Sequence, residues 1–304
     1  MSVDPHGDSG PAGSDAPPGD RAAETATGTP PNVMLVKYGL APSKQRGQNF
    51  LADGNVTRKV VDAVGLSPDD VVVEIGPGFG ALTFGLARAA RRVIAVELDG
   101  GIVRAFREEY GEPPGVTLVE GDALEFDLSG LARESRVDGI VVVGNIPYNV
   151  TSPLIRRLVE ERGVVSRAVL MVQSEVCDRI ASRPGDGAYS GLSVVTRYHA
   201  RVRRLFTVKR TCFHPKPKVD SGVVEIAFGD HPVRVSDPAV FERTVAAAFG
   251  KRRKMLRQSL SELMNDCGRD ASQLESATGI EMARRGETLS VDEFDALAAA
   301  LSGR

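Results

Sequence analysis

The chain has 304 residues, of which 42% are hydrophobic and 26% are charged, as is ordinary for a soluble protein with an apolar core. Its formal net charge of −2 gives no indication of a nucleic-acid partner from bulk charge alone. Three widely separated cysteines, Cys177, Cys212 and Cys267, match no zinc spacing and, being odd in number, do not indicate a disulfide framework. Because there is no apolar run near the ~18 residues of a membrane helix and no secretory signal pattern, we expect a cytoplasmic protein without membrane or metal binding.

Residues 1–32 differ in composition from the rest of the chain. They contain six prolines, five glycines and no aromatic residue. Five acidic residues and one arginine give this stretch a net charge of −4, which leaves +2 for the remainder. Such a segment buries too little apolar surface to offset the entropy of ordering. The sequence therefore predicts a disordered acidic tail, to which no role is assigned.

From Val33 onward the composition is globular, and strands alternate with helices. Helically spaced apolar residues predict helices over 56–64, 81–90, 101–110 and 153–161. Apolar runs predict strands over 71–75, 93–97, 116–120, 140–143 and 168–172. This alternation indicates an α/β fold in which helices cover both faces of a mostly parallel sheet.

After about Asp186 the pattern changes. Residues 202–208 and 223–228 predict two late strands, and only helical patterns follow Gly229. Ser290 and Glu293 have the spacing of a capping box before the last helix. We therefore predict a domain over 33–230 and a small helical domain over 231–304.

A glycine-rich loop, residues 74–80, joins the first predicted strand of the sheet to its helix. Glycines let a backbone turn sharply and approach a ligand closely. Polar side chains end the next three strands, namely Glu97, Asp122 and Asn145. A carboxylate at the first position can accept hydrogen bonds from both ribose hydroxyls, and one at the second can bond an adenine amino group. The set suits a nucleoside that carries a charged amino-acid tail.

Two other interpretations of these residues stay open. Glu97 and Asp122 could each be the N-cap of the following helix. The spacing Gly76-x-Gly78-x-x-Ala81 also satisfies the loose dinucleotide fingerprint, which would indicate an oxidoreductase. The combination of the glycines, the carboxylates and Asn145 favours a cofactor site over structural caps.

The most informative residues are Asn145-Ile146-Pro147-Tyr148, which follow a buried strand. The asparagine offers an acceptor, and the proline stiffens the turn and removes a backbone donor, so that carbonyl oxygens can accept from an exocyclic amine. The tyrosine offers a flat face to a base. A strand followed by a proline turn and a core tyrosine is the alternative, but the neighbouring cofactor residues favour a site that holds a nucleobase amine.

These motifs resemble those of ribosomal RNA adenine N6-dimethyltransferases, the KsgA/Erm family. The resemblance rests on residues 47–51, 74–78, 97–99, 121–123 and 144–149, and extends from about 39 to 302. It implies a Rossmann-like class I methyltransferase domain, a small C-terminal helical domain and S-adenosylmethionine as cofactor. The chain should then act as a monomer on ribosomal RNA within a small-subunit particle.

The resemblance also implies roles for individual residues. Phe213 would sandwich the flipped target base with Tyr148, so that the implied catalytic residues are Asn145, Pro147, Tyr148 and Phe213. The implied cofactor-binding residues are Gln48, Asn49, Leu51, Gly76, Gly78, Glu97, Leu98, Asp122, Ala123 and Asn145. Asn49 and Leu51 would lie near the methionine end of the cofactor, and Asn145 near its sulfur.

The branch of the family is a separate question. Ile146 is common in the Erm type, which modifies the large subunit and gives antibiotic resistance. Three longer stretches, 219–224, 248–260 and 287–294, resemble the KsgA type. We therefore expect dimethylation of two adjacent adenosines near the 3′ end of 16S ribosomal RNA during ribosome biogenesis. The alternatives are an Erm-type 23S enzyme and a non-catalytic assembly factor.

Cations cluster late in the chain. Residues 196–220 contain eight Lys/Arg and one Asp, and a second cluster spans 251–257. Such clusters on a nearly neutral protein suit phosphate contact, although a charge run is usually only a solvated face. Because two clusters flank the proposed base site, we predict RNA contacts from Lys44, Arg46, Arg201, Arg203, Arg204, Lys216, Lys218, Arg252, Arg253, Lys254 and Arg257.

Overall fold

The computed structural model describes residues 28–43, 46–147, 150–229, 236–251 and 253–302. The strands are β1 (Phe50–Leu51), β2 (Val71–Ile75), β3 (Arg92–Glu97), β4 (Val116–Glu120), β5 (Ile140–Asn145), β6 (Val165–Gln173), β7 (Arg201–Val208), β8 (Phe213–His214) and β9 (Ser221–Ala227). Seven of them form one sheet in the order β4-β3-β2-β5-β6-β9-β7, and β1 pairs with β8. Strands β2 to β6 are parallel, and β9 is antiparallel to both of its neighbours.

Helices follow most of these strands. They are α1 (Pro31–Lys37), α2 (Gly54–Val64), α3 (Thr83–Ala89), α4 (Gly100–Tyr110), α5 (Leu128–Ser135), α6 (Thr151–Glu160), α7 (Ser174–Ala181), α8 (Gly191–His199), α9 (Pro238–Gly250), α10 (Leu256–Ser259), α11 (Ser261–Asp266), α12 (Ala271–Thr278) and α13 (Val291–Leu301). None of the helices in these described ranges is long and apolar enough to span a bilayer.

The alternation of side chains along β2 explains why helices cover both faces. Val71 and Val73 point into a core with α5 and α6, whereas Val72 points into a core with α2 and α3. A parallel strand buried on both faces is expected to be apolar, and this strand is apolar at every position except Glu74. The predicted α/β sheet is therefore confirmed in its central strands. Helix α5 was not predicted, because its two turns hold Gly130 and few apolar residues.

Strand β2 lies where the strand order reverses. Its neighbours are β3 on one side and β5 on the other, and the connections that follow leave in opposite directions. A crevice opens outside the carboxyl ends of strands at such a point. The register pairs Ile75 with Gly144, so that Asn145 comes at the same edge as Gly76. A Cβ atom at Gly144 would lie 2.6 Å from the Ile75 carbonyl oxygen, so only glycine lets the two strands approach this closely.

Residues 28–32 pack against the globular part rather than extending from it. Pro31 is the first residue of α1, a position where its missing N–H costs nothing, and it is buried. Met34 and Leu35 follow it into a core with Phe50 and Phe79. Residues 1–27 of the predicted tail lie outside the described ranges.

A separate apolar core joins the C-terminal helices. Phe241 of α9 and Phe294 of α13 are fully buried in it, and Tyr198 of α8 stacks on Phe241 with ring centroids 3.7 Å apart. Helix α8, which precedes residue 230, therefore contributes to the C-terminal core, and the division at 230 stays a prediction. The predicted capping box is present, with the Ser290 N–H donating to Glu293 Oε2 at 2.7 Å.

Candidate cofactor and base site

The glycine loop and Glu97 form the floor of the crevice. Gly76, Gly78 and Gly80 adopt φ values of 65°, 57° and 85°, a region that favours glycine. The Glu97 carboxylate at the end of β3 accepts from the N–H groups of Gly78 (3.2 Å) and Asp99 (3.0 Å). Burial raises the pKa of Glu97, while these two donors act to lower it. Glu97 thus ties the loop to the end of β3.

The alternative interpretation of Glu97 as a helix N-cap is wrong. The N-cap of α4 is Asp99, whose carboxylate accepts from the Gly101 N–H at 3.0 Å. The hydrogen bonds to Asp99 also come from Gln48 Nε2 at 3.0 Å and from Arg46. Although partial burial acts to raise it, the pKa of Asp99 is held below its ordinary value by these donors. Arg46, predicted to bind RNA, forms an ion pair with Asp99 beside the crevice.

The crevice consists of three cavities that share Gly76. The first includes Leu51, Gly78 and Asn145 in its lining, and the second, which is the largest of the three, includes Glu97, Leu98, Asp122 and Ala123. The third includes Gln48, Asn49 and Glu97. The structure thus brings together all of the residues predicted to bind the cofactor. Their roles toward a ligand stay predictions.

Asp122 lies in the short loop that follows β4. Its side chain is exposed and accepts from the Leu124 N–H at 2.8 Å, which holds the turn. The loop is also held by Arg157 of α6. This guanidinium donates to the Ala123 carbonyl at 2.5 Å and to the Phe126 carbonyl. Arg157 therefore links the Asp122 loop to the helix that follows the Asn145 motif, a contact the sequence did not reveal.

Asn145 is oriented by a hydrogen bond to the segment before β1. Its Nδ2 donates to the Asn49 carbonyl oxygen at 2.7 Å. Because one end of the amide is used in this way, Oδ1 is the end that remains to accept from a ligand. The bond joins the residues 47–51 motif to the end of β5, which are 96 positions apart in the chain.

Glu74, the last polar residue of β2 before the glycine loop, is a site residue that the sequence analysis left without a role. It is only 1% exposed, and its Oε2 finds no hydrogen-bond partner within the described ranges. Burial raises the pKa of Glu74 to about 8, and the nearby Glu97 carboxylate adds to the rise. Glu74 also lines the first cavity, with Asn145. The otherwise apolar strand β2 thus carries, near its carboxyl end, a carboxyl group that is protonated at neutral pH.

The two aromatic residues of the predicted base sandwich differ in status. Tyr148 lies outside the described residues. Phe213 is 5% exposed, and its strand β8 pairs with β1 so that Phe213 faces Leu51 across the ladder. Its side chain packs in the core beneath β5 with Val60 and Val223. The stacking role of Phe213 stays a prediction, and in this structure the ring serves as core.

The predicted RNA-binding cations fall into two groups. Arg203 pairs with Glu225 (3.0 Å) and Arg204 with Asp178 (2.8 Å). A second group is exposed and has no ion-pair partner within the described ranges, namely Arg201, Lys216, Lys218, Arg253, Lys254 and Arg257. Lys44 and Arg252 lie outside those ranges. The charges of the second group are therefore available to contact a polyanion, whereas those of Arg203 and Arg204 are partly neutralised by their carboxylate partners.

Helix α10 begins only at Leu256, with Met255 as its N-cap, so Arg253 and Lys254 lie in the turn before it. Of the described cations in this cluster, only Arg257 lies within α10. Across the described ranges no group of three or more His, Cys, Asp or Glu side chains is arranged to hold a metal ion.

Comparison with known proteins gives consistent matches. Residues 41–301 match the model of the family described as ribosomal RNA adenine dimethylase. The chain is 40% identical over 274 residues to ribosomal RNA small subunit methyltransferase A of Geobacillus thermodenitrificans, covering 88% of this chain and 94% of the relative. It is 43% identical over 275 residues to the protein of that name from Pelotomaculum thermopropionicum, with 87% and 93% covered.

Two solved structures also resemble the fold. A dimethyladenosine transferase from Plasmodium falciparum superposes with a TM-score of 0.68 at 23% identity, covering 82% of this chain and 95% of that one. The 23S rRNA methyltransferase ErmE gives 0.66 at 25% identity, with 84% and 100% covered. The predicted Rossmann-like class I methyltransferase fold is thereby confirmed.

Replacing Glu74 by Gln should change how stability depends on pH. Between pH 4.5 and about 8 the folded protein holds a proton that the unfolded chain has released, so the free energy of unfolding falls as pH rises. The limiting slope is about 1.4 kcal/mol per pH unit. Denaturant unfolding of the cofactor-free protein at several pH values should show this fall reduced in Glu74→Gln.

The exposed Glu160 offers a matched control, because Glu160→Gln removes a carboxylate that already contacts solvent. Its pH profile should parallel that of the unmodified protein. If Glu74→Gln also parallels it, then Glu74 is ionised in the folded state and the assignment of a buried neutral carboxyl is wrong.

Proposed function

The chain belongs to the ribosomal RNA adenine dimethylase family, and we propose that it transfers methyl groups from S-adenosylmethionine to N6 of adenosines in small-subunit ribosomal RNA. The relatives at 40% and 43% identity are named small subunit methyltransferases, whereas the 23S enzyme ErmE is 25% identical. This difference supports the small-subunit substrate over the Erm-type one. Two adjacent adenosines near the 3′ end of the RNA are the proposed targets, within a small-subunit particle.

The crevice fits the proposed cofactor. Its larger cavity, beside Glu97 and Asp122, has carboxylates for a ribose and an adenine amine, and the cavity beside Gly78 suits a methionine tail. A Cβ atom at Gly78 would lie 2.9 Å from the Phe50 ring, so a side chain there would fill the cradle. When bound, the cofactor supplies a methyl group on a positively charged sulfur.

One observation carries the proposed chemistry, the orientation of the Asn145 amide. An adenine N6 lone pair is delocalised into the ring and is a poor nucleophile. Hydrogen bonds that accept both N6 protons favour the tetrahedral nitrogen that can attack. Because Asn145 Nδ2 donates to the Asn49 carbonyl, Oδ1 is presented as one such acceptor.

A backbone carbonyl next to Pro147 is the second acceptor. The Pro147 carbonyl already accepts from the Val150 N–H at 3.2 Å and from Thr151 Oγ1 at 3.3 Å. The carbonyl of Ile146 therefore suits the ligand better, and the proline ring leaves no N–H nearby to compete for it. Both acceptors are fixed before the substrate arrives, so positioning contributes most of the rate.

The transfer requires no group on the protein to be strongly basic. The bound cofactor would supply the methyl group, its sulfur would keep the electron pair of the broken carbon–sulfur bond, and N6 would release one proton to solvent. After the first round one N6–H group remains, and it can still donate a hydrogen bond to Asn145 Oδ1. The second round needs only that the pocket admit the first methyl group.

Asn145→Ala should slow methyl transfer by roughly 10²- to 10³-fold, because a preorganised partner of the reacting group is lost. Cofactor affinity should change much less. Single-turnover methylation of small subunits that lack the modification, with calorimetry of cofactor binding, measures both quantities. The matched control is Asn55→Ala, at an exposed asparagine of α2. A transfer rate in Asn145→Ala equal to that of the control would remove Asn145 from the chemistry.

The exposed cations give a prediction about RNA. Replacing Arg253, Lys254 and Arg257 with Ala should weaken particle binding and lower the slope of log affinity against log salt by about 0.7 to 0.9 for each lost phosphate contact. The control is Arg203→Ala with Arg204→Ala, whose guanidiniums are paired with Glu225 and Asp178. A triple variant whose salt slope equals that of the unmodified protein would mean that the 253–257 cluster is only a solvated face.

A further inference from the structure

The residues just before the family-matched region lie against the cofactor crevice. That match begins at residue 41, yet Thr29 and Pro31 line the same cavity as Gly76, Gly78 and Asn145. We propose that residues 28–37 form the outer wall of the cavity for the methionine end of the cofactor. Glu109 and Tyr110, at the end of α4, hold that wall in place. The proposal rests on the proposed function for the identity of the ligand.

Tyr110 connects the wall to the glycine loop. The Thr29 N–H donates to the Tyr110 hydroxyl at 2.7 Å, and this hydroxyl donates to the Phe79 carbonyl at 3.2 Å. Phe79 belongs to the loop that carries Gly78. Because burial raises the pKa of Tyr110, the phenol stays protonated and can serve as this donor. One hydroxyl thus fixes the distance between the wall and the loop.

Glu109 holds both ends of helix α1. Its Oε1 accepts from Thr29 Oγ1 at 2.9 Å, and its Oε2 accepts from the Tyr38 hydroxyl at 2.9 Å. Lys37 forms an ion pair with the same carboxylate. Partial burial acts to raise the pKa of Glu109, but these donors hold it below its ordinary value. A single carboxylate therefore collects donors from residues before and after the helix.

Packing makes the wall tight. Met34 is fully buried against the rings of Phe50 and Phe79, whose centroids are 4.7 Å apart. Gly28 has φ of 66°, and a Cβ atom there would lie 2.9 Å from the Phe79 carbonyl oxygen and 3.1 Å from the Tyr110 hydroxyl. The chain therefore passes through a gap that admits only glycine, directly beside the loop.

The position of the wall decides which part of the ligand depends on it. Thr29 and Pro31 line the cavity of Leu51 and Gly78, whereas the cavity of Asp122 and Leu98 has neither of them. Loss of the wall should therefore release the amino-acid tail of the cofactor and leave its adenosine part held. The consequence is faster cofactor dissociation, without a change in the transfer rate at saturating cofactor.

The experiment compares two probes. S-adenosylmethionine carries the tail, and 5′-methylthioadenosine has the same nucleoside and sulfur without it. In Tyr110→Phe and in Thr29→Val, affinity for S-adenosylmethionine should fall by roughly tenfold, while affinity for methylthioadenosine should stay within twofold of the unmodified protein. Val36→Ala, at a position of α1 that is 84% exposed, is the matched control and should change neither affinity.

Two results would overturn the proposal that residues 28–37 form a wall of this cavity. One is unchanged affinity for both probes in both variants, and the other is an equal loss for both probes, which would indicate a general effect on the fold. If Tyr110→Phe fails to fold by circular dichroism, Thr29→Val, which removes only the bond to Glu109, decides alone. Failure of the unmodified protein to bind S-adenosylmethionine would instead reject the proposed function.

Discussion

The hydrogen bond from Asn145 Nδ2 to the Asn49 carbonyl is the contact on which the site depends. It joins a loop near the start of the globular part to the carboxyl end of β5, and it fixes which end of the amide faces the crevice. Close approach of β5 to β2, which Gly144 permits, places that amide beside Gly76. The proposed acceptor for the amine and the glycine loop proposed to hold the cofactor are therefore positioned by the same strand pair.

The electrostatics of the crevice follow from burial. Glu97 keeps backbone donors on its carboxylate, whereas Glu74, one strand away, has an oxygen with no partner within the described ranges and a pKa of about 8. Two buried carboxyls in one crevice cannot both ionise without a large free-energy cost. Glu74, which has fewer hydrogen-bond donors, holds its proton more strongly. Burial raises the pKa of both carboxyls, and the backbone donors on Glu97 oppose that rise. A neutral Glu74 limits the charge that the site presents to a sulfonium.

The central sheet and the placement of the crevice residues could be predicted from the sequence. Buried parallel strands are largely continuous apolar runs, and the motif residues follow them directly. Helix α1 was missed, since Pro30 and Pro31 extend the composition of the tail into its first turn. The ion pairs of Arg203 and Arg204 were also missed, because their partners come from another strand and another helix. The neutral state of Glu74 depends on burial among distant residues, which local patterns do not report.

The most direct test is a crystal structure with S-adenosylhomocysteine and adenosine bound. We expect Asn145 Nδ2 to remain on the Asn49 carbonyl while Oδ1 lies about 3 Å from the adenine N6, with the adenosine between β5 and the crevice. An Asn145 amide turned so that Nδ2 faces the base, or an N6 held by other acceptors, would contradict the central role given to this side chain.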